Sequence, residues 1–558
     1  MSEIKEQGNT NEEQGKSSKL FDPRDLSNDP PTFSLPGETW TSMLSTPVSF
    51  EPSYFQTVML NLIKHPDIAS TYLFRAEIFY DSFNDPEGKF VKHIKADYRP
   101  LPCEVPGFGL EQTIVRRMIP RNPQRDDPLV QTCHIFRRRD EATGTEENLV
   151  IYLPHAEKPE DVPFYHPTVQ ALAFLHSFPS DPSNPSAATA TGTFSLHYRL
   201  FPSTELTTRL RRTALALLTL INKHSLGQKA GYKKRVHHDV VVPQAAFQDT
   251  YTDLKARYAK RLIEGWVEQT PAGKHVFEDL GIASFLIEVW KAMYDFGGEG
   301  EKKKKKPPFP GFMDIGCGNG LLVYILLSEG YRGWGFDARR RKTWDTFPES
   351  VQAHLKEMVL VPESAASLER QDGKDHHFHN GIFPPGTFII SNHADELTPW
   401  TPLLASLSAS PFLAIPCCSH NFNGAKFRAP ASGKVAVSPP NGEDADGKTG
   451  TIVPRKDGKQ PSAYASLTAW VARLAAAVGY EVETEMMRIP STRNAGVLGR
   501  RMEGEEDDKT LEERLGVVRD LVTREMFGEG TDCSGLQGVA KEWVERAEKL
   551  MKGAGGGH

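Results

Sequence analysis

The stretch FMDIGCGNGLLVYILLSEGYRGWGFDARRRKTW, Phe312 to Trp344, decides how the chain folds. A short apolar run ends in Asp314-Ile315-Gly316-Cys317-Gly318-Asn319-Gly320, and the helical pattern LLVYILLSEG starts at once. Glycines let the backbone turn sharply and come close to a ligand, while the free amides of the helix start face that ligand. A second apolar run, YRGWGFDA, follows and ends near Asp337.

Working outward, apolar runs and helical segments keep alternating: VLVP, GTFIISNH, PFLAIPCC, the helix YASLTAWVARLAAAVG and a strand pair around YEVETEMMRIP. That alternation predicts a doubly wound α/β sheet. Residues 429–462, rich in Gly, Pro, Lys and Asp, interrupt it and read as a disordered insertion. Ahead of the turn, YTDLKARYAKRLIEGWVE and GIASFLIEVWKAMYDF carry apolar residues at helical spacing. They are separated from it by the basic linker GGEGEKKKKKPPFP, which suits a solvated loop or a phosphate contact. The expected organisation is a disordered tail over 1–38, a mixed α+β domain over 39–240 that is the candidate for reading nucleic-acid shape, a sheet domain over 241–500 and a charged helical tail over 501–558. No zinc or redox signature stands out, and no metal site is expected.

The whole chain has 558 residues and a formal net charge of −6, so any contact with nucleic acid rests on local basic patches. Its six cysteines are scattered, with only Cys417 and Cys418 adjacent, which fits a reducing compartment. The polar N-terminus and the lack of an apolar run of about 20 residues point to a cytoplasmic protein with no membrane partner.

A dinucleotide site would show G-x-G-x-x-G, whereas here the spacing is G-x-G-x-G. Asp314, two positions before the first glycine, would repel a pyrophosphate but can accept hydrogen bonds from a ligand ammonium. S-adenosylmethionine carries an ammonium and a sulfonium. Asp337, about twenty residues on, is placed to take two ribose hydroxyls. The expected cofactor-binding residues are therefore Asp314, Gly316, Cys317, Gly318, Asn319, Gly320, Asp337 and Ala338, joined by Asn392 past a later strand.

The run TFIISNHADELTPW puts His393, Asp395 and Glu396 just beyond that strand, where a methyl acceptor would sit. Any of the three could take the proton of an attacking hydroxyl. The acids could equally cap the helix that begins LTPW. Cys417 and Cys418 read as small residues packed beneath the site, and Phe422 as an exposed ring able to stack on a base.

Five ordered motifs, HVFEDLGIASFLIEVW (275–290), residues 313–344, SNHADELTPW (391–400), IPCCSHNF (415–422) and RIPSTRNAG (488–496), resemble the eukaryotic tRNA (uracil-2'-O-)-methyltransferases that act at position 44 of serine tRNA. The resemblance implies a Rossmann-like (class I) methyltransferase domain, S-adenosylmethionine as donor, transfer to a ribose 2'-hydroxyl and tRNA(Ser) as partner; it allows an accessory protein. It places Asp314, Gly316, Gly318 and Gly320 at the donor turn, Asp337 at the ribose and Asp395-Glu396 at the acceptor loop. Some relatives carry a C-terminal Cys/His zinc module, but here Cys533 is the only cysteine after residue 500. Arg339, Arg340, Arg341 and Lys342, with Arg488 and Arg493, are the expected RNA contacts, since arginine forks suit phosphates. Methylation of a protein or small molecule, or a non-catalytic tRNA scaffold, are the competing expectations.

Overall fold

The computed structural model describes residues 21–123, 125–140, 144–179, 191–202, 204–232, 238–296, 306–363, 378–430, 461–502 and 509–551. The chain divides into two compact units, residues 1–234 and 235–558.

The first unit is one antiparallel sheet with two helices. Its strands are β1 (Arg24–Asp25), β2 (Thr41–Val48), β3 (Leu73–Asp81), β4 (Gly109–Pro120), β5 (Leu129–Asp140), β6 (Thr145–Pro154), β7 (Ala171–Pro179) and β8 (Gly192–Arg199), in the order β1-β2-β8-β7-β6-β5-β4-β3. Helices α1 (Pro52–Lys64) and α2 (Thr208–Lys229) cover one face, where Phe55, Met59 and Leu218 meet Val150 and Tyr152. Alternation along β6 sends Leu149, Ile151 and Leu153 to the opposite face, which is also apolar and also needs a cover.

Residues 30–40 supply that cover, with Phe33, Leu35 and Trp40 buried against it. The expected tail over 1–38 therefore fails for residues 21–38: Phe33 and Leu35 have a partner surface that their polar sequence context conceals. Residues 1–20 lie outside the described residues.

The second unit opens with α3 (Gln244–Glu264) and α4 (Ala272–Met293), then alternates β9 (Phe312–Ile315), α5 (Leu321–Ser328), β10 (Gly333–Asp337), α6 (Glu349–Gln352) and β11 (Leu355–Glu357). A small parallel pair follows, β12 (Val359–Leu360) with β13 (Phe378–His379). Then come β14 (Phe388–Asn392), α7 (Thr401–Leu407), β15 (Phe412–Ile415), α8 (Ala463–Ala477), β16 (Tyr480–Met486), β17 (Ala495–Met502), α9 (Leu511–Phe527) and α10 (Leu536–Met551).

The main sheet runs β11-β10-β9-β14-β15-β17-β16. Its first five strands are parallel, and β17 is antiparallel to both neighbours. One face packs on α3, α4 and α5 through Leu254, Leu286, Trp290 and Leu322. The other packs on α7, α8, α9 and α10 through Leu403, Val471, Val518 and Trp543.

Three boundary expectations change. Residues 238–241 belong to the second unit, because the Glu485 carboxylate accepts the amides of Asp239, Val240 and Val241 at 2.7, 2.7 and 2.8 Å. The ends of the expected insertion are built in: Ala429 is buried and the Ser462 hydroxyl caps α8 by accepting from the Ala465 amide. Residues 431–460 lie outside the described residues.

The third change concerns the expected C-terminal tail, whose two helices complete a core layer. Leu515, Val518, Leu521, Leu536, Val539 and Trp543 are all buried, because the apolar residues of these charged helices fall on one side. Trp543 Nε1 donates to the Leu360 carbonyl at 2.7 Å. Trp543→Phe should cost about 1–3 kcal/mol by stranding that buried carbonyl. A urea midpoint equal to that of the unaltered protein would refute the claim that α10 is structurally required.

Candidate active site

The order of the sheet reverses between β9 and β14, which leave the sheet centre in opposite directions. Ligands of doubly wound sheets bind beyond the carboxyl ends of the strands at this point. A cavity of about 1180 Å³ opens there, walled by the ends of β9, β10 and β14, the start of α4, the loop after β15, and α10. Among the described residues no helix is long and apolar enough to cross a membrane.

The glycine turn forms the cavity's inner edge. Gly316, Gly318 and Gly320 have φ of 71, 53 and 73°, a left-handed run that side chains disfavour. A Cβ on Gly320 would lie 2.9 Å from Leu355 and 3.0 Å from the Trp344 indole, whereas one on Gly318 would meet open space. Gly320 is thus a packing and turning residue, and Gly316, Cys317, Gly318 and Asn319 line the cavity. The buried Trp344 Nε1 donates to the Gly318 carbonyl at 3.0 Å, and Thr343 Oγ1 donates to the Asn319 carbonyl at 2.8 Å. Asp337 locks the turn from the next strand: its two oxygens accept the Gly318 amide at 3.0 Å and the Arg339 amide at 3.1 Å.

Carboxyl groups crowd the floor. Asp314, on β9, is 1% exposed, and its Oδ1 has no hydrogen-bond partner. Burial, then the charges of Asp279 and Asp337, hold it well above the usual carboxylate range. Asp279, on α4, is pushed up to about 8 by burial and by Glu278, against a hydrogen bond from Asn392 Nδ2 at 3.1 Å.

Between its unfolded value near 4 and about 8, Asp279 is protonated when folded and ionised when unfolded. Its contribution to stability is therefore complete at low pH and lost as pH rises through that window. Glu278 and Asp314 are the charged groups that act on it, and Asp314 adds a shift of the same sign. Between pH 6 and pH 8 the ligand-free protein should lose more stability, or gain less, than Asp279→Asn does; the comparison cancels the opposite contribution of buried histidines such as His166, His176 and His197, whose depressed values favour the folded state as pH rises. Equal slopes for the two proteins in a melting series would refute the assignment.

Beside the acids stands a histidine held by a carboxylate. His393 Nε2 lies 3.1 Å from Glu278 Oε1, and His393 Nδ1 is buried without a hydrogen-bond partner. Burial would raise Glu278, but the hydrogen bond and charge from His393, with smaller help from Ser491 and Lys274, bring it below the usual value. His393 and Asp395 have φ of 52 and 38°, left-handed conformations for residues with side chains. Such strain gathers where surrounding structure over-determines a functional loop.

The other two expected acids are engaged differently. The Cys417 thiol donates to Asp395 Oδ1 at 2.7 Å, and burial and Asp395 together push both the Cys417 and Cys418 thiols up, which keeps them protonated. Glu396 stands 3.9 Å from His420 with its side chain 36% exposed. Cys417 is half-buried as expected for a residue under the site, but Cys418 is exposed. Phe422 is fully buried between Trp400 and Trp470, so it is no base-stacking ring; the following turn folds it inward.

Of the expected cofactor residues, Asp314, Gly316, Cys317, Gly318, Asn319, Asp337, Ala338 and Asn392 all line the cavity. Of the expected RNA contacts, Arg339, Arg341, Lys342 and Arg493 reach it. Arg340 turns to Asp345 and Gln352, and Arg488 makes a paired contact with Asp239 at 2.7 Å through Nε and a terminal nitrogen. Those two guanidiniums serve the fold. Glu278, Asp279, Trp543 and Arg546 line the cavity without having been singled out from sequence. A hint was present for the first two: they are adjacent acids that run directly into the apolar stretch Leu280 to Leu286 of α4, where burial of a charge needs a reason.

A doubly wound sheet with three glycines after its first strand and acids at two strand tips is the architecture of a methyltransferase domain, and residues 241–362 match the family model described as "Predicted AdoMet-dependent methyltransferase". Residues 18–235 match "TRM44-like, N-terminal bet v1-like domain". The chain is 44% identical to the tRNA (uracil-O(2)-)-methyltransferase of Neurospora crassa, over 84% of this chain and 87% of that one. It is 40% identical to that of Aspergillus oryzae, over 94% of both, and 37% identical to that of Schizosaccharomyces pombe, over 83% and 85%. This chain belongs to the tRNA (uracil-O(2)-)-methyltransferase family. Among solved structures, Ara h 8.0201 aligns over 35% of this chain and 100% of its own at 10% identity, with a TM-score of 0.20 too low to carry an inference.

Proposed function

We propose that this enzyme transfers a methyl group from S-adenosylmethionine to the ribose 2'-hydroxyl of uridine 44 in tRNA(Ser), using a Rossmann-like class I domain in the cytoplasm. The residues present suit the donor. Asp314 Oδ1 and Asn392 Oδ1 are buried acceptors without partners, suited to an ammonium, and the open space over Gly318 admits a ligand close to the backbone. Asp337 accepts one turn amide per oxygen, and its Oδ1 also lies 3.5 Å from the Arg341 guanidinium, which leaves Oδ2 the freer oxygen for a ribose hydroxyl. Bound there, S-adenosylmethionine supplies a methyl group on a positively charged sulfur.

The observation that carries the catalytic reading is the Glu278–His393 pair. With Nε2 donating to Glu278, the imidazole of His393, a residue of the cavity wall, keeps Nδ1 as an acceptor with no partner among the described residues. A ribose hydroxyl attacks well only as it loses its proton, and a base oriented by a carboxylate takes that proton and is stabilised once charged. Asp395 already accepts from a thiol and Glu396 is the more exposed, so His393 is the base and Glu278 positions it. Arg339, Arg341, Lys342 and Arg493 offer cations to phosphates around the rim.

A cationic donor favours ionised carboxyls on the floor, so its affinity should rise from pH 6 to pH 8 with release of a proton on binding. Calorimetry in buffers of different ionisation enthalpy reads this directly, and binding without proton release would contradict it. The function itself is tested by incubating the chain with labelled donor and unmodified serine tRNA. Label on the ribose of uridine 44 is the expected result; label on a base, at another site or in polypeptide would overturn the proposal.

A further inference from the structure

Far along the chain from the catalytic residues, the segment between β3 and β4 carries two anomalous rings. Phe83 is 80% exposed and Phe90 is 63% exposed. Large aromatic side chains left this open usually mark a binding surface. They are not on a loose loop. The Asp81 carboxylate accepts the Phe83 amide at 3.0 Å, and Asp85, only 6% exposed, accepts the amides of Lys89 and Phe90 at 2.9 Å each. The Arg99 guanidinium donates to the carbonyls of Ile94 at 3.0 Å and Lys92 at 3.3 Å. Tyr98 stacks flat on Phe79, with centroids 4.1 Å apart and 0° between the planes, and Arg117 lies over both rings. The backbone is thus shaped by its own polar groups while Phe83 and Phe90 stay in solvent.

Cations are interleaved with the rings. In the run GKFVKHIK, residues 88–95, Lys89, Lys92, His93 and Lys95 are exposed. Lys89 pairs with Glu87, whereas Lys92 and Lys95 have no ion pair among the described residues. Protein–protein interfaces are depleted in lysine, and a protein partner would match a contiguous apolar patch better than rings spaced by ammonium groups. Unpaired nucleotides match the spacing: bases stack on aromatic faces and the adjoining phosphates meet the lysines.

We infer that residues 82–99 form a preorganised stacking platform for unpaired nucleotides of the tRNA substrate, with Phe83 and Phe90 beneath bases and Lys92 and Lys95 on phosphates. The inference rests on the tRNA reading above and adds a recognition surface to it.

The test uses the full chain. Phe83→Ala/Phe90→Ala should weaken binding of unmodified serine tRNA, read by fluorescence anisotropy at fixed salt, by about tenfold or more. KM for tRNA should rise by the same factor, with kcat and donor affinity unchanged. Lys92→Glu/Lys95→Glu should lower the slope of log Kd against log salt by about one to two. Both pairs are exposed, and an unchanged urea midpoint shows that a lost affinity is not unfolding; should the alanine pair unfold, the lysine pair decides. Unaltered enzyme that labels tRNA, alongside variants with native tRNA affinity and KM, overturns the platform alone. Failure of the unaltered enzyme to bind or label tRNA overturns the tRNA reading and the platform with it.

Discussion

His393→Asn is expected to slow methyl transfer by about 10²–10⁴-fold while donor affinity stays as it is. Asparagine is chosen because His393 sits at φ 52°, a conformation asparagine tolerates, so the substitution removes the imidazole without forcing the loop to rearrange. The loss follows from geometry: His393 belongs to the cavity wall, its Nδ1 is a buried acceptor without a partner, and Glu278 holds the opposite nitrogen at 3.1 Å. Glu278→Gln keeps the shape and loses the charge that stabilises the protonated imidazole. It should give a smaller loss in kcat than His393→Asn, with little change in KM. Single-turnover rates at saturating donor separate the two roles, because the histidine variant loses the proton acceptor itself and the glutamine variant only its charged partner. A His393→Asn enzyme that turns over within threefold of the unaltered one would end the assignment and return Asp395 to first place.

Asp337→Ala should weaken donor binding by about 10²-fold or more. Two charge-assisted hydrogen bonds, each worth about 1.5–3 kcal/mol, are lost from the Gly318 and Arg339 amides. These hold a turn whose three positive-φ glycines have little intrinsic preference for this arrangement, so the ligand would have to order the turn itself. Asp337→Asn keeps one acceptor and should fall between. Titration with S-adenosylhomocysteine measures the effect; affinities within threefold of native for the alanine variant would show that the turn holds itself.

Much of the cavity wall around the glycine turn was legible. Asp314, the glycines and Asp337 stand within one βαβ unit, and local sterics and strand ends place them together wherever that unit folds. The acceptor loop was legible as a location but not as a division of labour. His393, Asp395 and Glu396 are near neighbours in the chain, and only the partners brought to them, Glu278, Cys417 and His420, distinguish a carboxylate-held imidazole from a thiol-bonded acid and a more exposed acid. The basic run Arg339 to Lys342 shows the same limit. Arg339 and Arg341 line the cavity, while Arg340 between them turns to Asp345. Composition cannot tell one arginine of a run from the next.

Residues 21–38 and the C-terminal helices were misjudged for a common reason. Their apolar residues are sparse and spaced among charges, so they look solvated until the surface they cover is known. For Phe33 that surface is the outer face of β6, and for Trp543 it is the small β12–β13 pair at Leu360.

By itself, the amino-acid order determined what short-range sterics and periodicity control: glycines that permit left-handed turns, apolar runs that alternate with helices, and an acid at each of two strand tips. Tertiary structure alone decided which distant groups share a proton or a wall. Glu278 meets His393 across 115 residues of chain and Trp543 meets Leu360 across 183. Such meetings depend on which helix faces the sheet buries, a choice made by packing the whole core and not by any local pattern.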